Sequence, residues 1–153
     1  MLYLYRVSQI EDFEFLLELK SQKDAIKWSG FSTAPNRENF LEYFQKKVLG
    51  NHNVFMYYLK DSTDEVPMGY IQFNKITETE AEGRGTNILK KYQGCGLLEE
   101  MTQLMFKELK NNGFKSMFTY CSELNKASII NLKVNGFAQT EDFEIRKMEG
   151  QNC

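Results

Sequence analysis

Apolar and polar positions along the chain switch period several times, and each switch marks an element boundary. Residues 2–6 (LYLYR) read as a short strand. Ser8 and Glu11 have the S-x-x-E spacing of a capping box, and Ile10, Phe13 and Leu17 then recur at helical spacing to about Lys20. A helical turn over 24–28 (DAIKW) precedes the loop 29–35 (SGFSTAP). A second amphipathic helix starts near Asn36, carries Phe40, Phe44 and Val48 on one face and ends at Gly50. Three strands follow over 53–59, 67–76 and 84–90, separated by the turns KDSTDE and TETEAEG. Glu78, Glu80 and Glu82 in the second turn read as a solvated hairpin tip, because clustered like charges favour water.

A loop over 91–96 (KYQGCG) feeds a strong helix with Leu98, Met101, Met105 and Leu109 on one face and Gly113 as its stop. The methionines read as core filler. Residues 115–121 (KSMFTYC) form a buried strand, and Asn125 caps a helix carrying Ala127, Ile130 and Val134, closed by Gly136. Residues 137–148, alternating around Phe143 and Ile145, supply one or two last strands. The order is β-α-α-β-β-β-α-β-α-β. An antiparallel meander followed by a β-α-β crossover implies an α+β fold, one mixed sheet with helices on its faces. At 153 residues this is a single domain, 1–153, without repeat or linker.

Composition narrows the function. A hydrophobic share of 42%, with 12 Phe, 8 Tyr and 7 Met, supplies a core. A net charge of −2 gives no basic nucleic-acid binder, and no apolar run approaches the roughly 20 residues of a membrane span. The N-terminus reaches Arg6 and then acids too soon for a secretory signal, so a cytoplasmic protein is expected. Cys95, Cys121 and Cys153 are odd in number and form no CxxC, which argues against a disulfide framework and a cysteine-rich zinc site. The one histidine, His52, reads as a surface loop residue, which leaves Ser-His-Asp hydrolysis and zinc catalysis without parts. No metal is expected.

The segment with chemistry in it is strand 84–90, loop 91–96 and the helix from Leu97. Loop amides and first-turn helix amides converge there on an anion, and Gly94 and Gly96 let it approach the backbone closely. No G-K-[ST] follows, so this is not a Walker loop, and G-x-G-x-x-G is absent, so it is not a dinucleotide fingerprint.

Tyr92-Gln93-Gly94-Cys95-Gly96 resembles the Q/R-x-x-G-x-G/A pyrophosphate loop of the GNAT superfamily of acetyltransferases. Asn125 to Phe137 (NKASIINLKVNGF) resembles that superfamily's second acetyl-CoA motif, close to N-x-x-S-x(7)-G-F. The element order is similar along essentially the whole chain. Two motifs depart in detail: Leu98 stands where a small residue is usual, and Leu132 stands where many relatives place the tyrosine that reprotonates the CoA thiolate.

The resemblance implies a GNAT-like fold with splayed central strands and acetyl-CoA as cosubstrate. It implies that Asn87 and Ile88 offer backbone groups to the pantetheine arm, that Gln93, Gly94, Cys95, Gly96, Leu97 and Leu98 hold the pyrophosphate, and that the Asn125 side chain contacts the cofactor. Leu98 must then turn toward the core. The N-x-x-S form resembles the branch acting on ribosomal-protein N-termini and amino sugars, which makes Ser128 the candidate acid and a cofactor contact. Candidate bases are Glu80, Glu82, or Tyr120 through a water. Trp28, Phe31 and Tyr70 are candidates for the acceptor side, beside Tyr57, Tyr58 and Phe73. The implied activity is direct acetyl transfer to a primary amine of a small molecule, with an amino sugar nucleotide as one form. A protein N-terminus and a non-catalytic acyl-CoA sensor are the alternatives, and a homodimer is left open.

Overall fold

A helical excursion joins the first two strands and short turns join the next three, all antiparallel to their neighbours; the fifth arrives by a helical crossover and runs parallel. The computed structural model describes residues 1–29, 33–121 and 124–138, residues 28 and 29 by backbone alone. Its strands are β1 (Leu2–Arg6), β2 (Val54–Asp61), β3 (Pro67–Lys75), β4 (Glu80–Ile88) and β5 (Ser116–Thr119), paired in that order in one sheet. The helices are α1 (Phe13–Lys20), α2 (Lys23–Ser29), α3 (Arg37–Tyr43), α4 (Leu97–Asn111) and α5 (Lys126–Val134).

The expected last strands over 137–148 fall largely outside the described residues; Phe137 and Ala138 are not in a strand.

Alternation along the strands makes two apolar layers. On one face Tyr58 and Tyr70 are directly cross-paired and pack with Phe13, Leu16 and Leu19 of α1 and with Phe44 and Val48. On the other, Ile71 and Phe73 pack with Met101, Met105 and Leu109 of α4 and with Phe114. The two methionines expected as filler are filler.

Several details differ from the sequence reading. Asp12, not the Ser8–Glu11 pair, organises the first helix start: its carboxylate accepts the amides of Ser8 (3.1 Å) and Gln9 (3.0 Å). The buried stripe of α1 is Phe13, Leu16 and Leu19, while Ile10 is exposed. Asn36 caps α3 as read, its Oδ1 accepting from the Asn39 amide at 3.0 Å. From Phe44 to Leu49 the helix widens to π form, and Phe44 and Val48 are both buried, as read.

The acidic turn is shorter than read: β4 begins at Glu80, and Glu82 is only 8% exposed. It escapes the hairpin tip because Ala81 faces α4, which turns Glu82 to the other face beside Arg84 at 3.4 Å. On α5 the expected face is reversed. Ile130 and Val134 are 62% and 67% exposed, and Ile129 and Leu132 turn inward instead. A short helix with apolar residues on two sides leaves periodicity unable to choose.

Cys95 is a free, exposed thiol. Among the described residues no helix is long and apolar enough to cross a membrane.

Burial pushes the Tyr57 hydroxyl up to about 12 and the neighbouring Tyr58 higher still. An unfolded tyrosine ionises near about 10. The fold's preference for the neutral phenol is therefore intact below that pH and is lost as pH rises through Tyr57's own value. Between about pH 10 and about 12 each such group should remove roughly 1.4 kcal/mol of stability per pH unit. Urea titrations across that window should show Tyr57→Phe with a shallower fall than the parent chain.

Candidate active site

The site grows from one surplus residue in β4. Across the β3–β4 ladder Gln72 faces Gly85 and Phe73 faces Gly83, so Arg84 has no opposite number. Such a bulge bends and twists its strand. On the other side β4 pairs with β5 only from Glu80 to Gly83, against Ser116 to Thr119. Beyond Gly83 the two strands part, as the sequence reading expected. Thr119 closes the vertex, its hydroxyl donating to the Gly83 carbonyl at 3.2 Å.

In the fork lies a cavity of about 80 Å³ walled by Gly85 and Thr86 of β4, Thr119 of β5, Leu98 and Thr102 of α4, and Ser128 and Leu132 of α5. A larger hollow of about 860 Å³ lies beyond β5, lined by Phe118, Tyr120 and Leu132. It borders the outer edge of β5 and residues 136–138. The small cavity is the one with chemistry around it.

Gly94 and Gly96 have φ of 80° and 78°, left-handed values that favour glycine. Gly96 is the N-cap of α4 and supplies no side-chain cap, so the first-turn amides of a fifteen-residue helix face the loop. Lys90 and Lys91 precede this corner, and Glu99 and Glu100 lie in the first turn. The side-chain charges balance, so the attraction for an anion comes from main-chain amides and the helix dipole. Leu98 packs with the α4-side core, as its bulk requires. Cys95 stands exposed in the loop.

Gln93 serves the loop's own geometry. Its Nε2 donates to the Ile88 carbonyl at 3.0 Å and to Asp24 at 2.8 Å. Gln22 joins from the α1–α2 corner: its Nε2 donates to the same carbonyl at 3.3 Å, and its Oε1 accepts the Lys90 amide at 2.8 Å. Ile88, expected to offer backbone groups, thus has its carbonyl engaged at the far end of the open edge. Asn87 pairs with Tyr70 across the β3 ladder.

Ser128 reaches the fork cavity in the first turn of α5, where its amide donates to Asn125 Oδ1 at 3.2 Å. The Asn125 oxygen is therefore a helix cap. Tyr120 lines the larger hollow. Tyr70 is buried on the α1 face, its hydroxyl accepting from Lys20 Nζ at 2.5 Å. The Phe31 assignment and the Trp28 side chain lie outside the described residues. Sequence reasoning missed Lys20, Gln22 and Asp24, which meet their partners across 50 to 69 residues of chain and carry no local signal.

The chain matches the profile of the "Acetyltransferase (GNAT) domain" over residues 2–138. It belongs to that family, and it is an N-acetyltransferase. A [ribosomal protein bS18]-alanine N-acetyltransferase from Haemophilus influenzae is 28% identical over 143 residues, 92% of this chain and 84% of that one. Among solved structures, the aminoglycoside acetyltransferase AAC(6')-Ib in complex with coenzyme A superposes with a TM-score of 0.76 at 18% identity, over 92% of this chain and 86% of that one. A spermidine N-acetyltransferase chimera of Vibrio cholerae SpeG and hSSAT gives 0.79 at 13%, over 92% and 82%. At such identities the structural likeness speaks to the fold.

Replacing Gln22 with Ala removes the acceptor for the Lys90 amide. Hydrogen exchange at Lys90 should speed up several-fold while exchange in the β2–β3 ladder stays unchanged.

Proposed function

We propose that this chain moves an acetyl group from acetyl-CoA directly to a primary amine while both are bound. The acceptor in this reading is a small-molecule amine, such as an amino sugar carried on a nucleotide. The observation that carries it is the open edge of β4 from Arg84 to Ile88, leading into a two-glycine loop at the N-terminus of α4. A strand edge can pair with an extended amide-bearing arm, and a left-handed loop at a helix start suits its diphosphate.

Acetyl-CoA supplies the activated acyl carbon; the chain supplies orientation and charge. The amides from Gly94 to Leu98 would hold the diphosphate. The Ile88 amide, on the outward side of β4, would align the arm. A fixed main-chain N–H at the bulge can polarise the thioester carbonyl without any special side chain. Ser128, at the cavity wall, can donate a hydrogen bond to the sulfur. Glu82 is the buried carboxylate nearest the bulge on the acceptor face, and it would take the amine's proton through water. Holding both substrates in one cleft supplies much of the rate. Tyr120, facing the larger hollow, is given no step.

The near-neutral charge favours the small molecule, since nothing suggests docking on a charged polymer. The second reading, acetylation of a protein N-terminus, is favoured by the Haemophilus influenzae relative matched over 92% of this chain.

Acetyl-CoA at 100 times its dissociation constant should stabilise the chain by about 2.7 kcal/mol. Gly96→Val should abolish that gain, because a β-branched residue resists the left-handed backbone there. CoA release should then be followed with an amino sugar nucleotide, a polyamine and an alanine-led peptide. Turnover highest on the sugar supports the first reading and turnover highest on the peptide the second. Stabilisation that persists in Gly96→Val removes the proposed grip.

A further inference from the structure

The α1 face of the sheet holds a polar pair where β4 stands without a partner. Tyr70 is 1% exposed, yet its hydroxyl lies over Gly85, close enough that a Cβ there would collide with it. Lys20, the last residue of α1, donates to that hydroxyl at 2.5 Å and sits 4.6 Å from the centre of the ring. A Cβ on Gly85 would be 3.8 Å from Lys20 Nζ. Among the described residues no carboxylate pairs with this half-buried ammonium, although desolvating a charge is unfavourable without a counter-ion. The ring contact and the end of α1 favour a cation here, but neither gives its hydrogen bond to the hydroxyl a reason.

The position gives one. The open edge of β4 is bounded at Gly83 by Thr119 and at Ile88 by Gln22 and Gln93. A linear thioester laid along it from the Gly94–Gly96 loop would run from Ile88 toward Gly85. The missing side chain at Gly85 is what lets the Tyr70 hydroxyl come up to the strand from the opposite face.

The chemistry at that end needs an acid. When the amine nitrogen bonds to the acyl carbon and the C–S bond breaks, the electron pair leaves on sulfur, and the thiolate requires a proton. Leu132 stands where the resembled family's tyrosine would supply it. The Ser128 hydroxyl can solvate a thiolate, but an aliphatic alcohol is a far weaker acid than a phenol.

We infer that Tyr70 is the catalytic proton donor to the departing thiolate, and that Lys20 is the positioning residue that orients its hydroxyl and restores its proton. The Tyr70 O–H proton goes to sulfur, and a Lys20 N–H proton goes to the phenolate. The proton shed by the acetylated nitrogen passes by Glu82 to water, and water returns one to Lys20. The charged and titratable groups around Tyr70 are Lys20 from α1, Tyr43 from α3, Tyr58 from β2 and the Arg84–Glu82 pair from β4.

This deepens the acetyl-CoA reading above and rests on it. The test is a pH titration of CoA bound to the full chain, for the parent, Tyr70→Phe and Lys20→Met, after calorimetry has measured CoA binding to each. Thiolate absorbance is read after subtracting the unliganded chain. In the parent the bound thiol should half-titrate at least about one pH unit below free CoA, about tenfold more thiolate at a given pH. Both variants should move it back toward the free value, with CoA affinity little changed. A bound thiol that titrates like free CoA in the parent, or one displaced equally in all three chains, overturns the assignment and leaves acetyl-CoA binding intact. Failure of the parent to bind CoA removes the cofactor reading and this one with it. If Tyr70→Phe does not fold, Lys20→Met decides alone, since it keeps the buried ring.

Discussion

A strand edge left unpaired inside a folded chain is the constraint that the remaining structure answers. Backbone N–H and C=O groups away from water need partners, and an unsatisfied one costs as much as a lost hydrogen bond. The surplus Arg84 twists β4 out of reach of β5, and among the described residues side chains engage the two ends of the gap. Thr119 takes the Gly83 carbonyl, and two glutamines take that of Ile88. The stretch between them is available to an outside molecule. The fold thus defines a binding edge by where it stops supplying its own hydrogen bonds.

The loop after β4 follows the same economy. Two left-handed glycines and an uncapped fifteen-residue helix present amides, while the lysines before the loop and the glutamates after it nearly cancel. Recognition by main chain is indifferent to the side chains around it. That explains how a leucine at position 98 is accommodated: it turns into the α4-side core and forms a wall of the cavity.

Much of this was legible in the order of residues. Changes of period placed the strands and helices, and the glycine loop with the Asn125-to-Phe137 segment marked the candidate site. What stayed hidden depends on contacts between distant segments. Glu82 looks like turn material beside Glu78 and Glu80, and its burial follows only from Ala81 facing α4 and from Arg84 lying alongside. Ala127, Ile130 and Val134 are spaced as an inward face, but α5 turns Ile129 and Leu132 inward instead. Gln93 was visible as part of a motif, and its bond to Ile88 was not. Lys20 and Gln22 read as the polar end of a helix, since nothing local marks them for partners 50 and 66 residues away.

The clasp around the Ile88 carbonyl makes the two halves of the cleft mechanically dependent. Gln22 stands at the corner of α1 and α2, and Gln93 belongs to the loop that opens α4, yet both grip one oxygen, and the Lys90 amide ties the corner to the loop a second time. Shifting either wall therefore strains the other. A displacement of either side is felt at a single carbonyl that both sides share.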